Sequence, residues 1–334
     1  MENRQTYKKF LITFFVSFLL LLLAAIALNV YVDPRGIFGT NKFPVVVATA
    51  RIEKQMLLVA ANPKPKALIL GSSHCMRFSP EVIENATGLK TFNLSVNSGK
   101  IEDFLALLSY ATKDLKLKPE MVILGVDPRT FCNIEDEGFD KRLISNMALM
   151  NNVPLSSLER LNKKVSLYLG TLNLNYHKDL RKSIKLSRRQ NLPLENYTFE
   201  PDGFLAWEEA FNQAGALPAD SRRDTLISGF SNKRLKYFDI FLDICKKQNI
   251  SLKIIITPYS PDYICLVEQS DGSYSHFNRM LVEFLESRNR DNFFELYDFS
   301  RIENYSGVNE FMGIAHPSIR NSTLMLNKIF TEGH

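Results

Sequence analysis

The stretch KPKALILGSSHCMRFSP, Lys64 to Pro80, decides how the chain reads. The apolar run Ala67–Leu70 leads straight into Gly71-Ser72-Ser73-His74, and Ser79-Pro80 then opens a helix pattern. A short apolar run followed by glycine and hydroxyls and then a helix start is the pattern of a buried strand entering a βα turn. Two readings of its polar end stand side by side. It is an ordinary loop, or it holds a serine at the rim of a sheet for chemistry.

Four further runs share the character of Ala67–Leu70. They are TFNLS (91–95), MVILGVD (121–127), LKIIITP (252–258) and FFELYDF (293–299). Between them IEDFLALLSYATKDL puts Ile101, Phe104, Leu105 and Leu108 on one helical face, and KRLKYFDIFLDICKKQ does the same with Leu235, Phe238, Phe241, Leu242 and Cys245. FNRMLVEFLESRN supplies another amphipathic helix before the last run. Strands alternating with helices predict a parallel sheet covered on both faces, and right-handed crossovers make it an α/β, flavodoxin-like doubly wound sheet. Residues 64–132 and 234–334 carry this pattern; 133–233 interrupt it at a length too great for a crossover loop and read as a partly helical insertion. Within the insertion KDLRKSIKLSRR (178–189) reads first as a solvated basic helix face, with a site for anionic lipid or polyanion as the other reading. The single tryptophan, Trp207, reads as a packing anchor.

The N-terminus sets the compartment. Phe10 to Val32 holds no charge, follows Arg4, Lys8 and Lys9, and would be about 34 Å long as a helix at ~1.5 Å per residue. The basic flank predicts residues 1–9 in the cytoplasm and everything after residue 32 outside it, periplasmic or extracellular. Asp33-Pro34 ends the helix, and residues 33–63 read as a connecting segment with one helix near Thr49–Ala61. Ala25-Ile26-Ala27 also fits a signal-peptidase site, but the apolar run exceeds the ~7–15 residues of a signal h-region, so a retained anchor is the expectation. A net charge of +5 on 334 residues gives no nucleic-acid footprint. The four cysteines have no C-x-x-C spacing and the histidines no H-x-x-x-H spacing, so neither a metal nor a cofactor is expected.

Ligands of an open parallel sheet bind beyond the C-terminal ends of its strands. Ser73 follows the first strand, Ser95 and Asn97 the second, Asp127 the third, and His316 lies in NEFMGIAHPS after the fifth. An imidazole can take the proton of a serine hydroxyl, and N–H donors can hold the oxyanion that follows. His74 reads as a packing residue and Asp127 as a helix N-cap.

The motif order resembles the SGNH/GDSL hydrolase superfamily over roughly 65–132 and 234–330. The resemblance makes Ser73 the nucleophile, with its own N–H in the oxyanion hole beside the N–H of Ser95, and makes His316 the base. LGVDP lacks the asparagine of the family's third block, and Asn97 is the expected substitute. The aspartate of the last block, D-x-x-H, falls on Gly313; Glu310 is expected to orient His316 instead, with Asp298 as the other candidate or a bare Ser73–His316 dyad. The anchor with YVDPRGIFG, LILGSSH, VILGVDP and HPS also resembles membrane-anchored SGNH-like proteins that work with a membrane-bound O-acyltransferase. That likeness implies an extracytoplasmic ester hydrolase or O-acyltransferase acting on a polysaccharide or teichoic acid, with such an acyltransferase as partner. Gly313 keeps open a non-catalytic scaffold or polysaccharide-binding subunit.

Overall fold

The computed structural model describes residues 2–46, 50–132, 146–188, 199–206, 229–271, 273–312 and 316–331. The Trp207 and Gly313 expectations lie outside them. Two units make up the chain, Met1–Ile52 with Asp140–Tyr197, and Glu53–Phe139 with Thr198–His334. Of the described residues in the expected insertion at 133–233, 146–188 lie in the first unit, and 199–206 and 229–233 in the second.

The second unit holds the sheet. Strands β1 (Ala67–Leu70), β2 (Thr91–Asn93), β3 (Met121–Val126), β4 (Ser251–Ile256) and β5 (Phe294–Asp298) lie in the order β2-β1-β3-β4-β5, all parallel. This is the doubly wound arrangement, and its order reverses at β1. β1 and β3 are buried at almost every position, which is why they read as unbroken apolar runs rather than alternating ones. Ile69, Ile123 and Ile255 pack on one face with Phe78, Met325 and Ile329. The last two belong to α12 (Ile319–Thr331), which packs with α3 (Pro80–Thr87). On α4 (Ile101–Ser109) and α9 (Asn232–Lys247), Phe104, Leu108, Phe238 and Phe241 are fully buried, and the two helices pack together. Between them Arg234 Nε donates to both Glu102 oxygens at 2.9 and 3.2 Å, and the same guanidinium bonds the Cys132 carbonyl. Burial lifts the Glu102 carboxyl to about 6, against the pull of Arg234.

Two glycines in the strand ends make room for one side chain. A Cβ at Gly71 would lie 2.6 Å from Cys75 Sγ, and one at Gly125 would overlap the same sulfur. Gly71 therefore serves close packing; the left-handed backbone that a tight turn would demand is found at Gly88 and Gly203, not there. All four cysteines are free thiols, three of them buried.

The first unit begins with α1 (Glu2–Val32), whose segment Gln5–Val32 is long and apolar enough to cross a membrane. It stops at Asp33-Pro34, where the Asp33 carboxylate accepts the N–H groups of Phe38 and Thr40 at 3.0 and 3.3 Å. α2 (Ala50–Ala60) fills the helix expected near 49–61, and most of it belongs to the second unit. α6 (Met147–Asn151), α7 (Ser157–Gly170) and α8 (Leu174–Ser187) complete the first unit. Its core joins Ile37, Met150, Leu167 and Tyr176.

Candidate active site

Ser73 opens a single 3-10 turn, Ser73–Cys75, directly beyond β1. Ser72 precedes it in extended conformation and its side chain accepts the His74 N–H at 3.4 Å. The turn is clamped from the neighbouring strand. Asn93, fully buried at the end of β2, donates through Nδ2 to the carbonyls of Cys75 and Phe78 at 2.8 and 2.9 Å. A carboxamide is suited to this task because it carries two donors and an acceptor at one fixed position.

His316 arrives from the other end of the chain. It lies on β7 (His316–Pro317), paired antiparallel with β6 (Phe311–Met312), so that Met312 and His316 are opposite partners. Its Nε2 is 2.8 Å from Ser73 Oγ across 243 positions of sequence. Burial first, and then the Arg77 cation, push the His316 pKa below the usual 6.5, while a hydrogen bond to the Met312 backbone works upward. A bond that favours the protonated ring must end on an acceptor, here the Met312 carbonyl. With Nε2 at the serine, Nδ1 is the nitrogen left for that carbonyl. His316 is therefore neutral near pH 7 and offers an Nε2 lone pair to the hydroxyl.

A second polar group lies behind this pair. His74 is buried, its ring edge-on to His316 with centroids 5.5 Å apart and edge-on to Tyr259 at 4.8 Å. Its Nδ1 is 3.2 Å from Thr257 Oγ1, whose own hydrogen is directed to the Val126 carbonyl, so the ring donates and the hydroxyl accepts. Asp127 Oδ2 is 3.8 Å from the same Nδ1 and accepts the Tyr259 hydroxyl at 3.2 Å. Burial drives His74 down to about 3, more than Asp127 can offset, so the ring is uncharged. Burial alone would raise Asp127, but the Lys100 and Arg129 cations and the Thr130 N–H hold it below the usual carboxylate range, the uncharged His74 ring adding no cationic pull.

The predicted residues separate into three groups. Ser73 and His316 are brought into hydrogen-bond contact. Ser95 and Asn97 lie beside the turn, since the Val96 N–H between them bonds the Gly71 carbonyl at 3.0 Å. The expected role of the Ser95 amide needs correcting: that N–H is already given to Asn93 Oδ1 at 2.9 Å. Among the described residues the buried Ser95 hydroxyl has no partner, which leaves it, rather than the amide, as the free donor. Asn97 is half-buried on the turn that follows. Glu310 also needs correcting as the orienting group, because its exposed carboxylate binds Arg320 at 3.1 Å and not His316. Asp298, the other candidate, accepts the Ser300 N–H at 2.9 Å. Asp127 does cap a helix, α5 (Pro128–Phe131), through the Thr130 N–H at 2.9 Å.

The sequence places Asn93 at the end of the second strand without a role, points to none of Arg77, Thr257 and Tyr259, and marks His74 as a packing residue with no link to Asp127. Thr257 was open to the strand-end rule that found the others, for it is the first residue beyond β4.

No protein-family profile matches the chain, and neither does any curated protein. Among solved structures it is similar to a GDSL-like lipase of Bacteroides thetaiotaomicron, with a TM-score of 0.38 and 10% identity over 84% of this chain and 94% of that one. It is also similar to an acetyl xylan esterase, with a TM-score of 0.37 and 11% identity over 80% and 100%.

Proposed function

We propose that this chain is a serine ester hydrolase or O-acyltransferase that works through an acyl group on Ser73. The supporting observation is the 2.8 Å contact between Ser73 Oγ and the neutral Nε2 of His316. In the proposed cycle His316 takes the hydroxyl proton as Oγ adds to the ester carbonyl. The oxyanion meets the Ser73 N–H, unpaired by position at the start of its turn, and the Ser95 hydroxyl. When the intermediate collapses the ester C–O bond breaks, and the leaving alcohol takes the proton back from His316. Water or an acceptor hydroxyl, deprotonated by the same ring, then frees the acyl group and restores Ser73. The Met312 carbonyl fixes the ring and its tautomer. Being a dipole rather than an anion, it stabilises the imidazolium less than a carboxylate would.

In this reading α1 is a retained anchor with residues 1–9 in the cytoplasm, and the sheet unit works outside it. The acceptor is an exported polysaccharide or teichoic acid, and a membrane-bound O-acyltransferase supplies the acyl group. The test is a fluorophosphonate probe on the detergent-solubilised full chain. The expected result is one covalent adduct on Ser73, absent in Ser73→Ala and strongly slowed in His316→Ala. Labelling should fall as pH drops, with its acid limb below the ordinary histidine value of 6.5, because the His316 pKa is lowered. Folded protein that takes no adduct would overturn the enzyme reading in favour of a binding or scaffold subunit.

A further inference from the structure

A helix at the surface of a globular unit buries its apolar stripe. α7 does the reverse. Leu158, Leu161, Val165, Tyr168 and Leu169 fall within about 100° of its circumference at ~100° per residue. All five are exposed. The face that turns inward carries Arg160, Lys163, Lys164 and the buried Leu167. Leu174, at the start of α8, extends the exposed apolar surface and is itself 79% exposed. A contiguous apolar stripe of this kind marks a surface that something covers.

The neighbouring helix indicates what covers it. α7 and α8 pack on α1 within the same unit. Leu11 aside, the residues of α1 that lose exposure are Leu22, Ala25, Ile26, Asn29, Val30 and Val32, one face of its last three turns. Asn29 Nδ2 donates to the Thr171 carbonyl at 2.9 Å, and the Tyr176 hydroxyl donates to the Asn29 carbonyl at 3.3 Å. From Leu22 to Val32 is about 15 Å, half of a ~30 Å hydrocarbon core. The α7–α8 hairpin is therefore held against the half of the apolar segment nearer its C-terminal end. On α8 Lys178, Arg181, Lys182 and Lys185 are all exposed, at the spacing of one helix face.

We infer that α7 lies in the membrane interface with its Leu158–Leu169 stripe among lipid chains, while the basic face of α8 meets anionic headgroups. This rests on the reading of α1 as a retained anchor. The helix that bears the apolar stripe packs on that segment, and the positive charge matches an anionic lipid surface. The basic segment 178–189 then serves as more than a solvated face.

Spin labelling of the full chain in nanodiscs of phosphatidylcholine with a minority of phosphatidylglycerol tests it. Cys265→Ser removes the one exposed thiol. Single labels go in at Leu161→Cys and Val165→Cys on the stripe, at Asn162→Cys and Ser166→Cys beside it, and at Phe15→Cys in α1. Collisions with oxygen should exceed those with a water-soluble nickel chelate at 161, 165 and 15, and the ratio should invert at 162 and 166. Inversion at 161 and 165 with oxygen preference kept at 15 overturns the inference and leaves the anchor standing. Loss of oxygen preference at 15 overturns both. Labels at 161 and 165 that neither reagent reaches show a protein, or a second copy, on the stripe and also overturn it.

Discussion

Burial of an uncharged imidazole at position 74 gives this protein a defined weakness to acid. In the unfolded chain His74 takes up a proton near 6.5, whereas in the fold burial delays that to about 3. Between those values the unfolded state binds more protons, so stability falls as pH falls. The slope is about 1.36 kcal/mol per pH unit for one group. From about pH 6.5 to about pH 4.5 the loss is about 2–3 kcal/mol, a large share of the ~5–15 kcal/mol that holds a typical domain together. The assay is urea unfolding across this range for the wild type and His74→Asn, whose amide can keep the donation to Thr257. His316 titrates in the same window, and Glu102 and Glu53, raised by burial to about 6 and about 7, act with the opposite sign. All three are common to both proteins and cancel in the difference. The variant starts lower because it loses the ring contacts with Tyr259 and His316, but the two curves should converge by about 2–3 kcal/mol on acidification. Curves that stay parallel would show that His74 is not held neutral, and the description of the group behind the serine would be wrong.

Four other outcomes follow from the same geometry. Glu310→Gln should leave fluorophosphonate labelling of Ser73 within a factor of about two, since the carboxylate it alters binds an exposed arginine at a cost of about 0–1 kcal/mol. Ser95→Ala should lower the labelling rate or the hydrolysis of an acetyl ester by about 10²-fold, the loss of one oxyanion donor. Gly125→Ala should destabilise by about 1–3 kcal/mol in a melting or urea experiment, because its methyl meets Cys75 Sγ, and Cys75→Ala in the same chain should recover most of that. Arg234→Met should cost about 3–5 kcal/mol by stranding the buried Glu102 charge, and adding Glu102→Gln should return a large part of the loss.

The sheet was legible because its strands are short apolar or aromatic runs set between helix patterns, with burial on both faces leaving β1 and β3 free of polar residues while Lys253 and Glu295 interrupt β4 and β5. β1 and β3 show this most clearly, while β2, three residues long at the sheet edge, was legible only from its neighbours. The meeting of Ser73 with His316 was legible for a different reason: strand ends in a parallel sheet converge, so polar residues at those ends are candidates wherever they lie in sequence. The same rule could not show which polar atoms are already spent. Ser95 reads as an amide donor until Asn93, two residues earlier, is seen to take that hydrogen. Glu310 reads as the partner of His316 because it is near in sequence, yet β6 and β7 form an antiparallel pair that sets Met312, not Glu310, across from the histidine. Backbone carbonyls leave no trace in residue types, so an imidazole oriented by one looks in sequence like an imidazole with no orienting group.

That substitution explains why Asp127 need not orient the His316 ring. A carboxylate beside His316 would raise the pKa of the base, and it would have to be desolvated within the site. Here the buried Asp127 carboxylate bonds Tyr259 and Thr130 and faces His74, one ring further back. The adjacency of Ser73 and His74 in a single 3-10 turn then has a mechanical consequence. Seating His74 against Thr257 and Tyr259 fixes the rotation of the turn, and that rotation is what directs Ser73 Oγ to His316. A substitution at Thr257 or Tyr259, neither of which contacts the serine, should therefore slow labelling of Ser73 by freeing the turn, while leaving the Met312–His316 pair in place. If Tyr259→Phe, which deletes only the bond to Asp127, changed the labelling rate as much as Thr257→Val, which removes the acceptor of His74 itself, the seating of the ring would not be what positions Ser73.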